Sequence, residues 1–173
     1  MSVSIRDVER SANDRRWIQD VYSEYLESLA GLNTGFFPAI AAESPQKDGI
    51  FASWFSTEHA HPLVIVLAGE RIGFALVSRP RVPAAGEPLP DYRMAEFFVR
   101  KSYRRNGYGR EAATLIFDRF AGAWEIVEYQ RNPESVRFWR RVLTVYCHGN
   151  FSERSRHGEI RHHFRSGPAV ASR

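Results

Sequence analysis

The sequence predicts a mixed α/β fold built on one sheet, and three observations support this prediction. Two runs rich in β-branched residues flank a glycine-bearing turn between residues 63 and 78, which is typical of an antiparallel hairpin. Over residues 93–129 a strand, a loop, an amphipathic helix and a second strand follow one another, as in a parallel crossover unit. The chain has 173 residues, of which 43% are hydrophobic, and this is enough to bury a core. We expect a single domain over residues 1–173.

Each element follows from the spacing of its apolar residues and from the residues at its ends. Strands are predicted over residues 63–68, 72–78, 93–99, 124–129, 145–147 and 160–164. Helices are predicted over residues 15–29, 108–121 and 133–143, with a shorter one at 50–55. Gly31 and Gly122 are placed to end the first two long helices. Asn132 is placed to cap the third, with Pro133 at its first position.

The composition excludes several classes of protein. The apolar and aromatic content is too high for a disordered chain, and no segment has the roughly 20 apolar residues that span a bilayer. Cys147 is the only cysteine, so an internal disulfide is impossible, and residues 1–10 lack the apolar run of a secretory signal. We therefore expect a cytoplasmic protein that does not associate with membranes.

The formal net charge of +4 is unevenly distributed along the chain. Residues 1–99 contain 9 Lys and Arg against 13 Asp and Glu, whereas residues 100–173 contain 15 against 7. Most of the basic residues are arginines, whose planar guanidinium binds phosphate well, although genome composition can produce the same bias. The basic half favours an anionic ligand. Nucleic acid is the weaker candidate, since no basic run is interleaved with aromatic residues for stacking.

A glycine-bearing loop with the sequence YRRNGYGREAA occupies residues 103–113. Gly107 and Gly109 allow the backbone to approach a ligand closely. A helix that begins here presents unpaired N–H groups and the positive end of its dipole, which favour a phosphate group. A loop that only turns the chain before a helix has a similar composition, so the flanking elements must decide between the two interpretations.

Two nucleotide-binding motifs can be compared with this loop. The run Gly107-Tyr108-Gly109-Arg110-Glu111-Ala112 fits a dinucleotide-binding fingerprint, and Glu128 is near the position of the acid that binds the ribose in such a fold. In that fold the first glycine directly follows the strand, but here residues 100–106 intervene and only one crossover unit is evident. A Walker loop is excluded because no Gly-Lys-Ser/Thr follows.

The order of elements and motifs over residues 93–143 carries a resemblance to a known family. A strand, the run RRNGYG at residues 104–109, a helix, the strand WEIVEY and the segment NPESVRFWRRV follow one another. This arrangement resembles the GNAT superfamily of acetyl-CoA-dependent N-acetyltransferases. The acyl-CoA loop of that superfamily has the pattern Gln/Arg-x-x-Gly-x-Gly/Ala, which Arg104, Gly107 and Gly109 fill in register. The resemblance implies a GNAT-like, mainly antiparallel central sheet with a parallel βαβ acyl-CoA-binding unit and flanking helices.

The resemblance also implies which residues bind acetyl-CoA. Backbone N–H groups of residues 105–110 would hold the pyrophosphate, and the exposed backbone of the preceding strand would pair with the pantetheine arm. Asn132 matches the family's asparagine that contacts this arm, in addition to its role as a helix cap. The expected cofactor-binding residues are Phe98, Val99, Arg104, Arg105, Asn106, Gly107, Tyr108, Gly109, Arg110 and Asn132. We also expect Gly109→Val to weaken binding by obstructing the phosphate path.

Glu96 is the expected catalytic base that deprotonates an amine acceptor. It is the one acid on the strand over residues 93–99, and some family members place a catalytic glutamate on this strand. By strand alternation Glu96 shares a face with Phe98, which puts it either near the thioester or in solvent. An ion pair between a half-buried Glu96 and Arg93 is the structural alternative.

The general acid of the family has no counterpart in this chain. Many relatives carry a tyrosine in the helix after the asparagine, and this tyrosine protonates the leaving thiolate. The corresponding pair here is Phe138-Trp139, and an indole N–H does not release its proton at neutral pH. Tyr103, Tyr129 or a water molecule could replace it, electrostatic stabilisation could suffice, or the domain binds acyl-CoA without transferring the acetyl group. Trp139 is also expected to pack in the core.

The function that these residues predict is direct transfer of an acetyl group from acetyl-CoA to an amine within a ternary complex. Cys147 has no evident partner for a covalent step, and the paired histidines lack metal-ligand spacing, so we expect no metal. The acceptor pocket is expected from the first helix and from residues 31–60 and 79–91, without the acceptor being identified. The alternatives are a non-catalytic acyl-CoA-binding module and a basic nucleic-acid-binding domain. Family members are often dimers, so a homodimer is considered.

Overall fold

The structure is a computed structural model that describes residues 2–8, 11–30, 52, 54–55, 58–83 and 86–167. Its strands are β1 (Val3–Asp7), β2 (Ala60–Leu67), β3 (Glu70–Ser78), β4 (Tyr92–Val99), β5 (Gly122–Tyr129), β6 (Ser152–Arg156) and β7 (Glu159–Ser166). Its helices are α1 (Ala12–Ala30), α2 (Tyr108–Arg119) and α3 (Pro133–Tyr146), with a 3₁₀ turn at Lys101–Tyr103. Among the described residues no helix is long and apolar enough to cross a membrane.

The seven strands form one sheet in the order β1-β2-β3-β4-β5-β7-β6. Among these strands β4 and β5 are the parallel pair, and the other five neighbouring pairs are antiparallel. The parallel pair is joined through α2, which makes the crossover unit expected from the sequence. The predicted mixed, mainly antiparallel sheet with one parallel βαβ unit is therefore confirmed.

The described helices cover both faces of this sheet. On one face, called here the α1 face, Ile18, Tyr22 and Leu26 of α1 pack against Phe74 and Phe98. The opposite face, called the α2/α3 face, carries a second core that includes Ala113, Ile116, Phe117, Trp124, Ile126, Trp139 and Leu143. The direction in which a strand residue points therefore decides whether it meets α1 or the other two helices.

A buried ion cluster fixes α1 to the sheet. Asp14, in the first turn of α1, is fully buried and accepts hydrogen bonds from Arg6 of β1 at 2.6 and 2.9 Å and from Arg71 of β3 at 2.7 Å. Burial raises the pKa of Asp14, but the two guanidinium groups outweigh it and bring the pKa below its usual value. The carboxylate is therefore charged and paired, and it ties the start of α1 to two strands.

Most predicted elements are confirmed with altered ends. The hairpin turn consists of Ala68 and Gly69, whose φ angles of 49° and 88° suit a type I′ turn. Strand β3 therefore begins at Glu70, two residues before its predicted start. Gly122 opens β5 instead of ending α2, which stops at Arg119. Gly31 and half of the short helix predicted over 50–55 (residues 50, 51 and 53) lie outside the described residues.

Three assignments at the ends of the chain were wrong or missed. The strand predicted over 145–147 belongs to α3 and its C-cap, because Val142 and Tyr146 continue the helical period of Trp139. Strand β1 was not predicted, since only Val3 and Ile5 of its five residues are apolar. Strand β6 was missed because all five of its residues are exposed and carry no apolar pattern.

Asp14→Asn is expected to lower the free energy of unfolding by about 3 kcal/mol, because it leaves two arginines without their shared carboxylate. Urea unfolding followed by circular dichroism measures this change. Asp20→Asn, on the exposed side of the same helix, is the matched control and should change stability by less than about 0.5 kcal/mol. Equal effects of the two substitutions would contradict an anchoring role for Asp14.

Candidate active site

The middle of the sheet opens where β4 and β5 part. The two strands pair over only three residues, ending at Met94 and Ile126. Beyond that point β4 stays paired with β3 as far as Val99, and β5 stays paired with β7 as far as Tyr129. The facing edges of β4 and β5 therefore bound a wedge, which we call the β4–β5 cleft.

A bulge in β4 lies just where the cleft opens. Leu76 of β3 is paired with Glu96, whereas the next residue, Val77, is paired with Met94, so Ala95 is an extra residue in β4. An extra residue reverses the alternation of side chains along a strand. Met94 packs in the core of the α2/α3 face, and Glu96 instead lies on the α1 face.

Glu96 is held by a tyrosine of α1. The hydroxyl of Tyr25 donates a hydrogen bond to the Glu96 carboxylate, and the Tyr25 ring centroid lies 5.5 Å from that of Phe98. Glu96 and Phe98 thus meet the same side chain on the α1 face. The alternative ion pair between Glu96 and Arg93 is not formed, because Arg93 donates to the buried Glu125 at 2.5 Å.

The surroundings of Glu96 favour its protonated form. Burial raises the pKa of Glu96 to about 7; the hydrogen bond from Tyr25 opposes this rise, and the charge of Glu128 adds to it. A carboxyl with a pKa close to neutral can both accept and release a proton at pH 7, which suits a general base or acid.

A second carboxyl, Glu128, lies on the other side of the cleft. Alternation along β5 from the buried Ile126 puts Glu128 on the α2/α3 face, where the side chains of Ser135 and Trp139 of α3, acting as donors, lower its pKa. Burial raises the pKa of Glu128 to about 7 in spite of these two donors. The sequence indicated Glu128 only as a ribose-binding acid of the rejected dinucleotide fold. Glu128 lies on β5 at the same level as Glu96 on the parallel strand β4. This shared level is the sequence signal that could have indicated a role for Glu128 in the site.

The glycine-bearing loop connects β4 to α2 with two residues in the left-handed region. Arg105 has a φ of 65° and Gly107 a φ of 84°, and α2 begins directly afterwards at Tyr108. Glycine at the N-cap has no side chain to bond the first N–H groups of the helix. These groups and the positive end of the helix dipole therefore face the loop and can bind an anion.

Three side chains of the loop have partners within or beside it. Arg104 donates from Nε to the carbonyl of Val99 at 2.7 Å, which ties the loop to the end of β4. Asn106 donates to the carbonyl of Arg104 at 3.1 Å. Arg105 is exposed and reaches Glu134 at the start of α3 at 3.4 Å. Arg104 and Asn106 therefore brace the loop, whereas Arg105 offers its charge at the surface.

The side chains of the other predicted binding residues lie mainly in the cores or at the surface. Phe98 is buried on the α1 face, and Val99 packs in a cluster with Ala112 of α2, where Tyr108 also lies. Arg110 is exposed in the first turn of α2. The side chains of Phe98 and Val99 thus belong to the cores, and only their main-chain groups are directed toward the cleft edge.

Gly109 lies close to a side chain of the neighbouring helix α3. A Cβ built on Gly109 would lie 3.3 Å from Cε2 of Phe138 and 3.7 Å from Cγ2 of Val99. The missing side chain therefore points at α3 and not into a phosphate path, which corrects the reason expected for the effect of Gly109→Val. That substitution would overpack the contact of α2 with α3 and destabilise the fold.

Asn132 caps α3. Its Oδ1 accepts a hydrogen bond from the backbone N–H of Ser135 at 3.2 Å, and Pro133 occupies the first helical position. Ser135 and Trp139 are four residues apart and lie on one side of α3, so the cap also sets the position of the two donors to Glu128.

The aromatic residues considered as acids have defined surroundings. Trp139 is 2% exposed and packs 5.1 Å from the ring of Phe97, which confirms its role in the core. Tyr103 donates to Glu70 at 2.7 Å, at the hairpin turn between β2 and β3. Burial and nearby carboxylates raise the pKa of Tyr129, which makes it a weaker acid.

Histidines and the cysteine do not build a second reactive centre in the part of the chain that is described. No group of three His, Cys, Asp or Glu side chains there could hold a metal ion. His162 lies 3.5 Å from Glu153, and His163 lies 3.4 Å from Glu125. Burial raises the pKa of the Cys147 thiol, which disfavours its thiolate.

Comparison with known proteins agrees with this arrangement. The sequence profile of the acetyltransferase (GNAT) family matches residues 19–143. The chain belongs to the GNAT family. The match begins within α1, includes the hairpin and the whole βαβ unit, and ends within α3.

Solved structures share the GNAT fold over nearly the whole chain. An acetyltransferase from Thermus thermophilus has 14% identity over 95% of this chain and 97% of its own, with a TM-score of 0.62. The putative acetyltransferase YncA from Salmonella typhimurium, solved with acetyl-CoA, has 13% identity over 99% and 98%, with a TM-score of 0.61. The PaiA N-acetyltransferase from Thermoplasma acidophilum, solved with coenzyme A, has 12% identity over 95% and 99%, with a TM-score of 0.57. No curated protein matches the sequence.

Asn132→Ala is expected to lower the free energy of unfolding by about 1 kcal/mol, because the N-cap acceptor is lost. Asn132→Ser keeps an oxygen at the cap and should recover most of this loss. Thermal or urea unfolding of the three proteins provides the comparison. A serine variant as unstable as the alanine variant would show that Asn132 acts through something other than the cap.

Glu96→Gln is expected to change how stability depends on pH. The pKa of Glu96 in the folded state, about 7, lies above the ordinary value of 4.5, so the folded state holds a proton that the unfolded chain releases. The free energy of unfolding of the wild type, relative to Glu96→Gln, should therefore fall as pH rises from about 4.5 to about 7 and be level outside this window. Urea unfolding at several pH values measures the difference.

The control for this window is Asp20→Asn, which removes an exposed carboxylate from α1. A pH dependence that both variants share would not come from Glu96. A difference between wild type and Glu96→Gln that is constant with pH would show that Glu96 has an ordinary pKa.

Proposed function

We propose that this protein is an N-acetyltransferase that transfers the acetyl group of acetyl-CoA directly to an amine bound at the same time. One observation carries the proposal. The β4–β5 cleft has a carboxyl with a pKa near neutral, Glu96, where it opens, and it has the N-terminus of α2 beyond the end of β4. A base and an anion site at opposite ends of an open strand edge suit an acyl donor that carries a pyrophosphate.

The anion site fits the pyrophosphate of acetyl-CoA. The first N–H groups of α2 lack intrahelical partners, and Gly107 leaves them uncovered. The exposed guanidinium groups of Arg105 and Arg110 add positive charge beside them. Two of the structural neighbours were solved with acetyl-CoA or coenzyme A, which supports the same ligand here.

The edge of β4 fits the amide-bearing arm of the same molecule. From Phe97 to Val99, β4 is no longer paired with β5 but is still paired with β3. The backbone edge of β4 that is turned away from β3 therefore faces the cleft. An extended group with amides can add to such an edge in the way that a strand does. Bound acetyl-CoA would supply an activated acetyl thioester at this edge.

Glu96 would act as the base on the acceptor. An amine attacks only after it has lost its extra proton, and the Glu96 carboxylate can take that proton directly or through one water molecule. The hydrogen bond from Tyr25 fixes the carboxylate, and the Phe98 ring packs against the ring of Tyr25. Direct transfer needs no nucleophile from the protein, in keeping with the raised pKa of the partly buried Cys147 thiol.

The acceptor would approach from the α1 face, because Glu96 is directed there. A groove of about 260 Å³ opens on that side next to Phe98. Its other lining residues are Glu24, Glu27, Ser28, Lys101 and Arg104. Both signs of charge are present, so the groove is compatible with a small amine, a peptide N-terminus or a lysine side chain. Asp91, in the 79–91 segment expected to line the acceptor pocket, accepts a hydrogen bond from the backbone N–H of Ala123 at 2.7 Å.

Amine-dependent release of free thiol from acetyl-CoA tests this function. A panel of polyamines, amino sugars, peptide N-termini and lysine peptides should contain at least one acceptor. With that acceptor, Glu96→Gln is expected to lower kcat by about 10²–10⁴-fold because the base is lost, while calorimetry gives an unchanged Kd for acetyl-CoA.

The control is Glu153→Gln, which removes a carboxylate from the edge strand β6 and should keep full activity. Binding of acetyl-CoA without thiol release from any amine would support the alternative of a non-catalytic acyl-CoA-binding module. A Glu96→Gln enzyme with wild-type kcat would remove Glu96 from the mechanism.

A further inference from the structure

The cleft has a proton acceptor on one face and a second titratable group on the other. Glu96 lies on the α1 face with Tyr25, and Glu128 lies on the α2/α3 face with Ser135 and Trp139. The two carboxyls are close enough for the charge of Glu128 to raise the pKa of Glu96. They therefore lie on either side of the opening in which the thioester is proposed to sit.

We propose that Glu128 donates the proton that the departing thiolate of coenzyme A takes up. This inference rests on the acetyl transfer proposed above. A positioned acid that protonates the departing sulfur assists the breaking of the carbon–sulfur bond and accelerates the transfer. Trp139 cannot give up its indole proton, but its N–H fixes the orientation of the Glu128 carboxyl, which can.

The reaction balances with these two carboxyls. The amine enters this step neutral, because its extra proton has already passed through Glu96 to the solvent. Its nitrogen then bonds to the carbonyl carbon and loses one further proton to Glu96. The carbon–sulfur bond breaks, its electron pair stays on sulfur, and the Glu128 carboxyl proton moves to that sulfur. The products are an acetamide and free thiol, with Glu96 protonated and Glu128 ionised. Exchange with water then restores the starting distribution.

Repulsion between the two carboxylates favours states in which one of them is protonated and the other is ionised. Two nearby carboxyls that each titrate at about pH 7 hold about one proton between them at neutral pH. One of the two singly protonated states has Glu96 ionised and Glu128 protonated, which is the state that the reaction needs. Turnover converts it into the other state.

Groups from α1, α3, β5 and β7 lie around Glu128. Ser135 and Trp139 of α3 favour its charged form. The neighbouring Tyr129 of β5 and Tyr25 of α1 are both within electrostatic reach of it. On β7 its register partner is the apolar Ile160. None of these described neighbours is an arginine or lysine that would hold Glu128 permanently ionised.

The test measures whether Glu128 meets the sulfur, and it needs no acceptor. Calorimetry gives the affinities of CoA and of S-methyl-CoA, which has no ionisable thiol, from about pH 7 to about pH 10. In the wild type, ionised Glu128 should repel the thiolate, so CoA should lose affinity relative to S-methyl-CoA as the thiol ionises. In Glu128→Gln, the loss of CoA affinity relative to S-methyl-CoA should be about tenfold smaller. This corresponds to a pKa of the bound CoA thiol that is about one unit lower than in the wild type.

The matched control is Glu159→Gln, which removes a carboxylate from β7 opposite Tyr129 on the α1 face and should behave like the wild type. A Glu128→Gln protein that binds CoA with the wild-type pH dependence would overturn the assignment of Glu128 and leave the proposed function intact. A wild-type protein that binds neither ligand would refute the proposed function and this inference with it.

A second measurement keeps the inference testable if Glu128→Gln does not fold. Carbon-13 NMR of the wild type labelled at glutamate carboxyls should show two groups titrating near pH 7, Glu96 and Glu128. Trp139→Phe removes one donor, so the resonance whose pKa it raises belongs to Glu128. CoA should perturb this resonance more than S-methyl-CoA does above neutral pH. A Glu128 that is already ionised at pH 6, or equal perturbation by both ligands, would overturn the proposal.

Discussion

The parting of β4 and β5 after Met94 and Ile126 is the constraint on which the rest of the site depends. Each strand keeps its other partner, β3 or β7, so the sheet remains continuous on both sides while its middle opens. The opening frees one backbone edge of β4 and lets groups from the two faces of the sheet approach one another. The bulge at Ala95 adds to this effect, because it turns Glu96 toward α1 while Met94 stays in the opposite core.

The balance between burial and nearby cations sets the pKa of each buried carboxyl in this sheet and divides these carboxyls into two groups. Glu96 and Glu128 receive hydrogen bonds that favour their charged forms, but burial outweighs these bonds. Burial acts on Glu125 in the same direction, yet His163 and two arginines lower its pKa to about 2. Glu125 is thereby fixed as an anion, whereas the two residues at the cleft can exchange protons near neutral pH. The carboxyls that titrate near neutral pH thus lie where the strands part.

Local signals in the sequence predicted the elements and the loop, while the site depended on contacts that no local signal contains. Gly107 has the positive φ that the glycine pattern suggested, and Asn132 is the helix cap expected from Asn-Pro-Glu. The bulge that orients Glu96 depends on how β3 pairs with β4, which the alternation within one strand cannot reveal. The donors to Glu128 come from α3, whose position against β5 is set by packing of the core. The Gly109→Val prediction considered only a ligand, whereas the structure places Phe138 of α3 next to the position of the missing Cβ.

Calorimetric titration of the purified protein with acetyl-CoA, with NADH as the control, tests most directly the claim that the β4–β5 cleft and the N-terminus of α2 form one acyl-CoA site. Both ligands carry a pyrophosphate, but only acetyl-CoA has the amide-bearing arm that can pair with the open edge of β4. The account predicts saturable binding of acetyl-CoA and no response to NADH. No binding of acetyl-CoA, or equal binding of NADH, would contradict it.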